Sequence, residues 1–441
     1  MTEATDPDPG RPGPGRPSPG RPGPGRGRSA DVEDLLRTTA PRALGVIVRR
    51  TGHFADAEDA VQEALLAAAR SWPKTGVPDD PLAWMVRVAS RRLADRYRSD
   101  DARRRREVVA ASWSRDVADP ASGRDDTLTL FFLCCHPSLS SASAVALTLR
   151  AVGGLTTAEI ASAFLTPERT IAQRISRAKR TVADAGARFA LPNADAYDDR
   201  LALVLRIVYL VFNESYTSSS GAELHRSDLA SEAIRLGRLL RGLRPLEPEV
   251  AGLLALMLLT EARRPARTTS AGALIPLSEQ DRTRWDRGLV AEGTVLATTA
   301  LEHRPLGEYA AQAAIAALHD AAPRCEETDW ARIASLYAAL ERITDSPVVR
   351  LNRAVAVAMV EGPDAGLRLV DAVAASGPLT DSHRVHAVRA HLLEQKGDTE
   401  GAQTEYVAAA KASSNLRERD YLTMRAAALA RAHRGGGTAS P

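Results

Sequence analysis

The sequence predicts an all-α chain: two small helical units followed by a longer α-helical repeat unit. Three observations carry this. Apolar residues recur at three- and four-residue spacing through segment after segment, each bounded by Pro, Gly or a capping residue. Ala and Leu abound, while aromatic residues make up only 4 % of the chain. Late in the chain a helix-turn-helix pattern returns with an offset near 34 residues. At 441 residues the chain is too long for one ordinary core. Its formal net charge is only +3, so a nucleic-acid surface must show itself locally rather than in the total.

The composition also excludes several classes. The cysteines Cys134, Cys135 and Cys325 fit neither a disulfide framework nor a zinc spacing, and His136 has no second pair to join. Reduced thiols, no metal and no cofactor are expected. No apolar run spans a bilayer and the N-terminus lacks a signal-peptide core, so a cytoplasmic protein without membrane attachment is expected. No Ser-His-Asp order, metal spacing or phosphate loop is visible, which argues against an enzyme.

Residues 1–29 repeat Gly-Arg-Pro and Pro-Gly units that cannot build a core and are expected to be disordered. A first helical unit is expected over 30–99. In HFADAEDAVQEALLAAARSW, Asp56 reads as an N-cap and Ala57, Val61, Leu65, Ala68 and Trp72 as the buried stripe. The other face holds Glu58, Asp59, Gln62 and Glu63; it is acidic, a poor DNA surface and a better protein contact. Pro73 to Asp80 reads as a loop, and Asp80-Pro81 as the cap of a third helix. That helix buries Leu82, Met85, Val86, Ala89 and Leu93 and carries Arg87, Arg91, Arg92, Arg96 and Arg98 near Trp84 and Tyr97. Arginines interleaved with aromatics suit a single nucleic-acid strand. For Trp84 the core is the favoured place.

Residues 100–124 read as a polar linker. A second unit over 125–190 begins with an apolar helical approach from Leu128 to Leu149. It ends in GGLTTAEIASAFLTPERTIAQRISRAKRTVA, two helices joined by a tight turn. Thr156 and Glu159 make a capping-box pair; Thr166-Pro167-Glu168 restarts a helix. Ile171, Ile175, Ala178 and Val182 fall on one stripe. Arg169, Gln173, Ser176, Arg177 and Arg180 point the other way, a basic face without an acid, bearing side chains that can reach base edges.

DAEDAVQEALLAA, PLAWMVRVASRRLADRYR, a polar linker, then LTTAEIASAFLTPERTIAQRISRAKR resemble the two-domain sigma-70 type sigma factors of the extracytoplasmic-function (ECF) group over about residues 30–188. The resemblance implies a bacterial promoter-specificity subunit without enzymatic activity. By position, Asp59, Gln62 and Glu63 would bind the beta-prime clamp of core RNA polymerase. Lys74, Arg87, Arg91, Arg92 and Arg96 would serve the −10 element, beside a loop (73–80) that captures a flipped base. Arg169, Gln173, Arg174, Ser176, Arg177, Lys179 and Arg180 would contact the −35 element. A helix-turn-helix regulator that acts without polymerase is the alternative; the acidic helix before Trp72 is what it would not need.

The remainder, 193–435, reads as an α-helical, tetratricopeptide-like unit, in which Gly362 and Gly366 recur as Gly397 and Gly401. It resembles the long C-terminal extension of a sigma subgroup. Glu261, Arg263, Arg264, Arg267, Asp281, Arg282, Trp285 and Asp286 form a dense charged segment. It reads either as a structural ion-pair network or as a contact by which the extension docks on the sigma domains and regulates them in cis.

Overall fold

The computed structural model describes residues 26–99, 125–164, 166–217, 224–269, 272–375, 379, 382–413 and 416–436. Among them the regular elements are helices, joined by one isolated antiparallel bridge between Thr268 and Leu274. The expected linker 100–124 and the first 25 residues of the expected tail lie outside the described residues.

The first unit is three helices: α1 (Arg26–Thr51), α2 (Phe54–Thr75) and α3 (Pro81–Ser99). The first helix begins inside the segment expected as tail and runs through Pro41. Proline has no N–H for the carbonyl of Arg37; Gly154 of the second unit lies against that residue, with its Cβ position 3.8 Å from Arg37 O. In α2, His53 occupies the N-cap position without a side-chain bond, so Asp56 is not the cap; its carboxylate accepts from Tyr97 Oη at 2.8 Å instead. The helix continues through Pro73 and stops at Gly76, where φ is 85°, shortening the expected loop to residues 76–80. Asp80 caps α3 as expected, accepting from Ala83 N at 2.9 Å. Ala57, Val61, Leu65, Ala68 and Trp72 are buried with Met85, Val86, Ala89 and Leu93. Trp84, half-buried, meets Trp72 edge-on at 5.3 Å.

The second unit holds α4 (Thr127–Cys134), α5 (Ser141–Ala151), α6 (Thr157–Ala163) and α7 (Glu168–Asp184). The apolar approach is thus two helices, parted at His136–Ser140, where Pro137 sits and Ser140 caps α5. Both halves of the capping box form: Thr156 Oγ1 accepts from Glu159 N, and Glu159 Oε2 from Thr156 N at 2.6 Å. Thr166 does not cap α7. Its hydroxyl donates to Phe164 O at 3.1 Å, and Pro167 takes the cap position. Ile171, Ile175, Ala178 and Val182 are buried as the period requires.

The rest is α8 (Ala194–Thr217), α9 (Leu224–Leu243), α10 (Pro248–Ala262), α11 (Arg287–Leu301), α12 (Glu308–Ala321), α13 (Trp330–Thr344), α14 (Pro347–Glu361), α15 (Pro363–Ala375), α16 (His383–Lys396), α17 (Thr399–Ala412) and α18 (Leu416–Gly436). Because α8 starts at Ala194, most of LPNADAYDDR is helix rather than tether. One hydrophobic core runs without a break from Leu36 on α1 to Ala316 on α12. Smaller cores follow between α14, α15 and α16, and between α16, α17 and α18. Gly362 (φ 92°) and Gly397 (φ 87°) end the first helix of two successive pairs. Gly366 sits where α15 crosses α14, its Cβ position 2.7 Å from both Ala354 O and Ala358 Cβ. Gly366→Ala is therefore expected to lower stability by about 1–3 kcal/mol through overpacking, read by urea unfolding of the full chain.

Candidate nucleic-acid interface

On α7 the buried stripe fixes which side chains look outward. Arg169, Gln173, Ser176, Arg177 and Arg180 are exposed, and Arg174 is half-buried. Lys179 departs from this set. One residue beyond Ala178, it turns toward α2, its Nζ donating to Asp59 Oδ1 at 2.6 Å and pairing with Glu58; its side chain is only 11 % exposed.

The basic helix α3 divides in the same way. Arg87 and Arg91 are exposed, as is Lys74 in the last turn of α2. Arg92 and Arg96 lie on the side facing α2. Arg96 Nη2 donates to Glu63 Oε1 at 2.6 Å and its other nitrogen lies 3.5 Å from Asp59; Arg92 is 3.7 Å from Glu63. Of the five arginine and lysine candidates, Lys74, Arg87 and Arg91 face solvent, Arg92 is exposed but within reach of Glu63, and Arg96 lies half-buried against the acidic helix.

The acidic face of α2 is not uniformly open either. Asp59 is exposed and Glu63 half-buried, but Gln62 is buried, with its Nε2 donating to Arg150 O at 3.2 Å. Glu58 is 1 % exposed and accepts from Arg150 Nε at 2.8 Å. Neither Gln62 nor Glu58 belongs to a solvated face, because α5 and α7 pack over that side of α2.

Residues 35–103 match Sigma-70 region 2, and residues 132–182 match Sigma-70, region 4. These two matches support a sigma-70, ECF-like factor. Its role is accordingly in transcription initiation, which implies interaction of the two sigma regions with core RNA polymerase and promoter DNA. Residues 200–301 match a family of unknown function, DUF6596. The chain is 42 % identical over 401 residues to the uncharacterized protein R00370 of Rhizobium meliloti (strain 1021), covering 88 % of this chain and 93 % of that one. It is 29 % identical over 175 residues to the ECF RNA polymerase sigma factor SigK of Mycobacterium ulcerans (strain Agy99), covering 35 % of this chain and 92 % of that one. With the ECF RNA polymerase sigma factor SigJ of Mycobacterium tuberculosis (strain ATCC 25618 / H37Rv) the identity is 32 % over 152 residues, 32 % of this chain and 46 % of that one. No solved structure matches.

In the charged segment beyond region 4, Arg263, Arg282 and Trp285 face inward, while Asp281 and Asp286 are exposed. Arg263 Nε lies 2.6 Å from Asp320 Oδ1, and its Nη2 donates to Ala316 O. Arg282 Nη1 donates to His319 O and Ala322 O, and its guanidinium lies 4.8 Å from the centre of the buried Trp285 ring. Glu261 pairs with Arg264 at 2.9 Å. Asp281 Oδ1 accepts from Thr283, and Asp286 Oδ1 caps α11 through Gly288 N and Leu289 N. Arg267 is half-buried, its carbonyl accepting from Ile275 N. These pairings lie within 261–322 and form a network that ties α10, α11 and α12 together, in line with the reading of the segment as a structural ion-pair network.

Other side chains reach region 4. Arg200 Nη2 donates to Phe132 O at 2.5 Å, with Tyr197 edge-on to Phe132 at 5.3 Å. Arg235, held by the buried Glu232, donates to Val152 O and Gly153 O. Nothing in the spacing of Arg200 and Arg235 gave a sequence signal of these roles. Cys134 and Cys135 are fully buried thiols; burial pushes Cys135 up to about 12, which leaves it a packing residue.

Within the inward network burial, together with Arg263 and Arg282, holds His319 down to about 4. An unfolded histidine takes up its proton near pH 6.5, so stability is present above that and is lost as pH falls toward 4, by up to roughly 3 kcal/mol. Urea unfolding at pH 7 and pH 5, followed by tryptophan fluorescence, should show this loss, and His319→Phe should reduce it.

Proposed function

We propose that the chain is an ECF-type sigma factor that reads a −35 element as duplex with α7, holds the opened −10 strand on region 2, and is regulated in cis by residues 193–435. The observation that supports this best is the outer face of α7: five exposed side chains, polar or basic, opposite a fully buried apolar stripe. A helix presented in this way fits the major groove, with Gln173 and Arg177 able to make paired hydrogen bonds to base edges and Arg169 and Arg180 placed for phosphates. Ser176 adds a short hydroxyl between them. Arg174 and Lys179 flank this face.

On region 2, Lys74, Arg87 and Arg91 offer free cations for the strand backbone, while Arg92 and Arg96 hold α3 against α2. Asp59, Gln62 and Glu63 are assigned to the beta-prime clamp of core polymerase. The extension acts through its grip on region 4: α8 and α9 carry Arg200 and Arg235, which hold the ends of α4 and α5. It thereby decides where the helix-turn-helix stands relative to region 2.

Run-off transcription with purified core polymerase on a set of promoters tests the assignment. Arg177→Ala should cost roughly 1–3 kcal/mol at one −35 base pair and relax the preference there. Arg180→Ala should weaken binding to all sequences alike and lower the log–log salt slope by about one. An unchanged preference profile for Arg177→Ala would refute the orientation given to α7.

A further inference from the structure

Two helices with different assigned tasks, α2 and α7, meet at one seam with the end of α5. Glu58 and Asp59 on α2, Arg150 near the end of α5 and Lys179 on α7 form one ion-paired cluster. Gln62 adds a hydrogen bond to the Arg150 carbonyl. Further along, Arg37 on α1 lies 3.5 Å from Glu159 at the start of α6. Beside them is a cavity of about 330 Å³, with Leu36, Leu65 and Leu66 on the region 2 wall and Gly154 and Thr156 on the region 4 wall.

The seam between region 4 and the extension is of another kind. There Tyr197 packs edge-on against Phe132, and Gly153 approaches Glu232 so closely that a Cβ would sit 2.8 Å from Oε1. Region 2 also meets region 4 where Arg49 of α1 pairs with the buried Asp126, whose Cβ would lie 2.7 Å from a Cβ at Gly45, so the part of the seam that can separate is the ion-paired one beside the cavity. If the molecule opens, region 4 moves away from region 2 and stays with α8 and α9.

We propose that the acidic face of α2 is, in the free chain, the docking surface of α5 and α7, an internal partner that keeps core polymerase from Asp59 and Gln62 and keeps Lys179 from DNA. This rests on the reading of α2 as the polymerase face. The two uses exclude each other. The carboxylates that Arg150 and Lys179 satisfy cannot at the same time receive an outside surface, and the amide of Gln62 is already bonded to Arg150. The exchange is balanced, because opening frees carboxylates for polymerase and a lysine for phosphate together. Polymerase and promoter thus favour the same open state, each making the other's binding easier.

Zero-length carbodiimide crosslinking of the unmodified full chain tests this. The reagent activates a carboxylate, and a lysine amine in salt-bridge reach displaces it to form an amide; the carbodiimide leaves as a urea carrying the oxygen. Mass spectrometry of the free chain should show a peptide joining Asp59 or Glu58 to Lys179. With saturating core polymerase its yield should fall about fivefold or more. Arg150→Gln, which weakens the seam without touching a side chain assigned to polymerase or DNA, should lower the yield in the free chain and speed association with core polymerase. Absence of the link in the free chain, or an equal yield in free and bound chain, overturns the proposal. A pull-down in which the chain fails to bind core polymerase, whatever the crosslink yield, overturns the polymerase assignment of α2 and the competition with it.

Discussion

Glu58 is a carboxylate taken almost entirely out of water, and the arrangement of the two sigma regions depends on it. A buried charge stripped of its partners is worth several kcal/mol of destabilisation, so Arg150 and Lys179 are required where they stand. Arg150 lies near the end of α5, immediately before the turn that leads into the helix-turn-helix. Lys179 lies on α7 itself. One side chain on α2 therefore ties both the end of α5 and the helix α7 to region 2. Gln62 and the pair Arg37–Glu159 repeat that constraint at two further points.

The glycines at the turn before α6 answer the same constraint from the other side. Gly154, with φ of 72°, lies against the backbone of α1 where Pro41 interrupts the hydrogen bonding, and Gly153 lies against Leu149 O and Glu232. The turn is held among α1, α5 and α9, three elements that come from different parts of the chain. Small residues are what permit backbone from three directions to converge there.

How much of this was legible in the sequence follows the range of the interaction. The capping box Thr156–Glu159 and the stripe Ile171, Ile175, Ala178 and Val182 are short-range patterns, and both stand where the spacing puts them. The repeat glycines Gly362 and Gly397 were likewise visible, because a helix end needs a positive φ locally. Lys179 was not legible in its present role: its partners lie 120 and 121 positions earlier, and only the resemblance, not the helical period, set it among the −35 contacts. Gln62 failed for the same reason, since the helix that covers it belongs to another unit. The charged segment 261–286 was legible as a cluster, and a structural ion-pair network was one of the two readings it allowed; what the sequence did not give was the partner Asp320, 57 positions beyond Arg263.

The unbroken core from Leu36 to Ala316 has a consequence for how the protein comes into being. A ribosome that has delivered the first 190 residues has delivered both sigma regions, yet Phe132 still lacks the ring of Tyr197 and Gly153 lacks the Arg235 that binds its carbonyl. The nascent sigma portion stays unfinished until α8 to α12 have emerged from the exit tunnel. A chain cut between α7 and α8 would leave uncovered the apolar surface of region 4 that Tyr197 and its neighbours now fill, so helices that follow the sigma regions in sequence complete their packing.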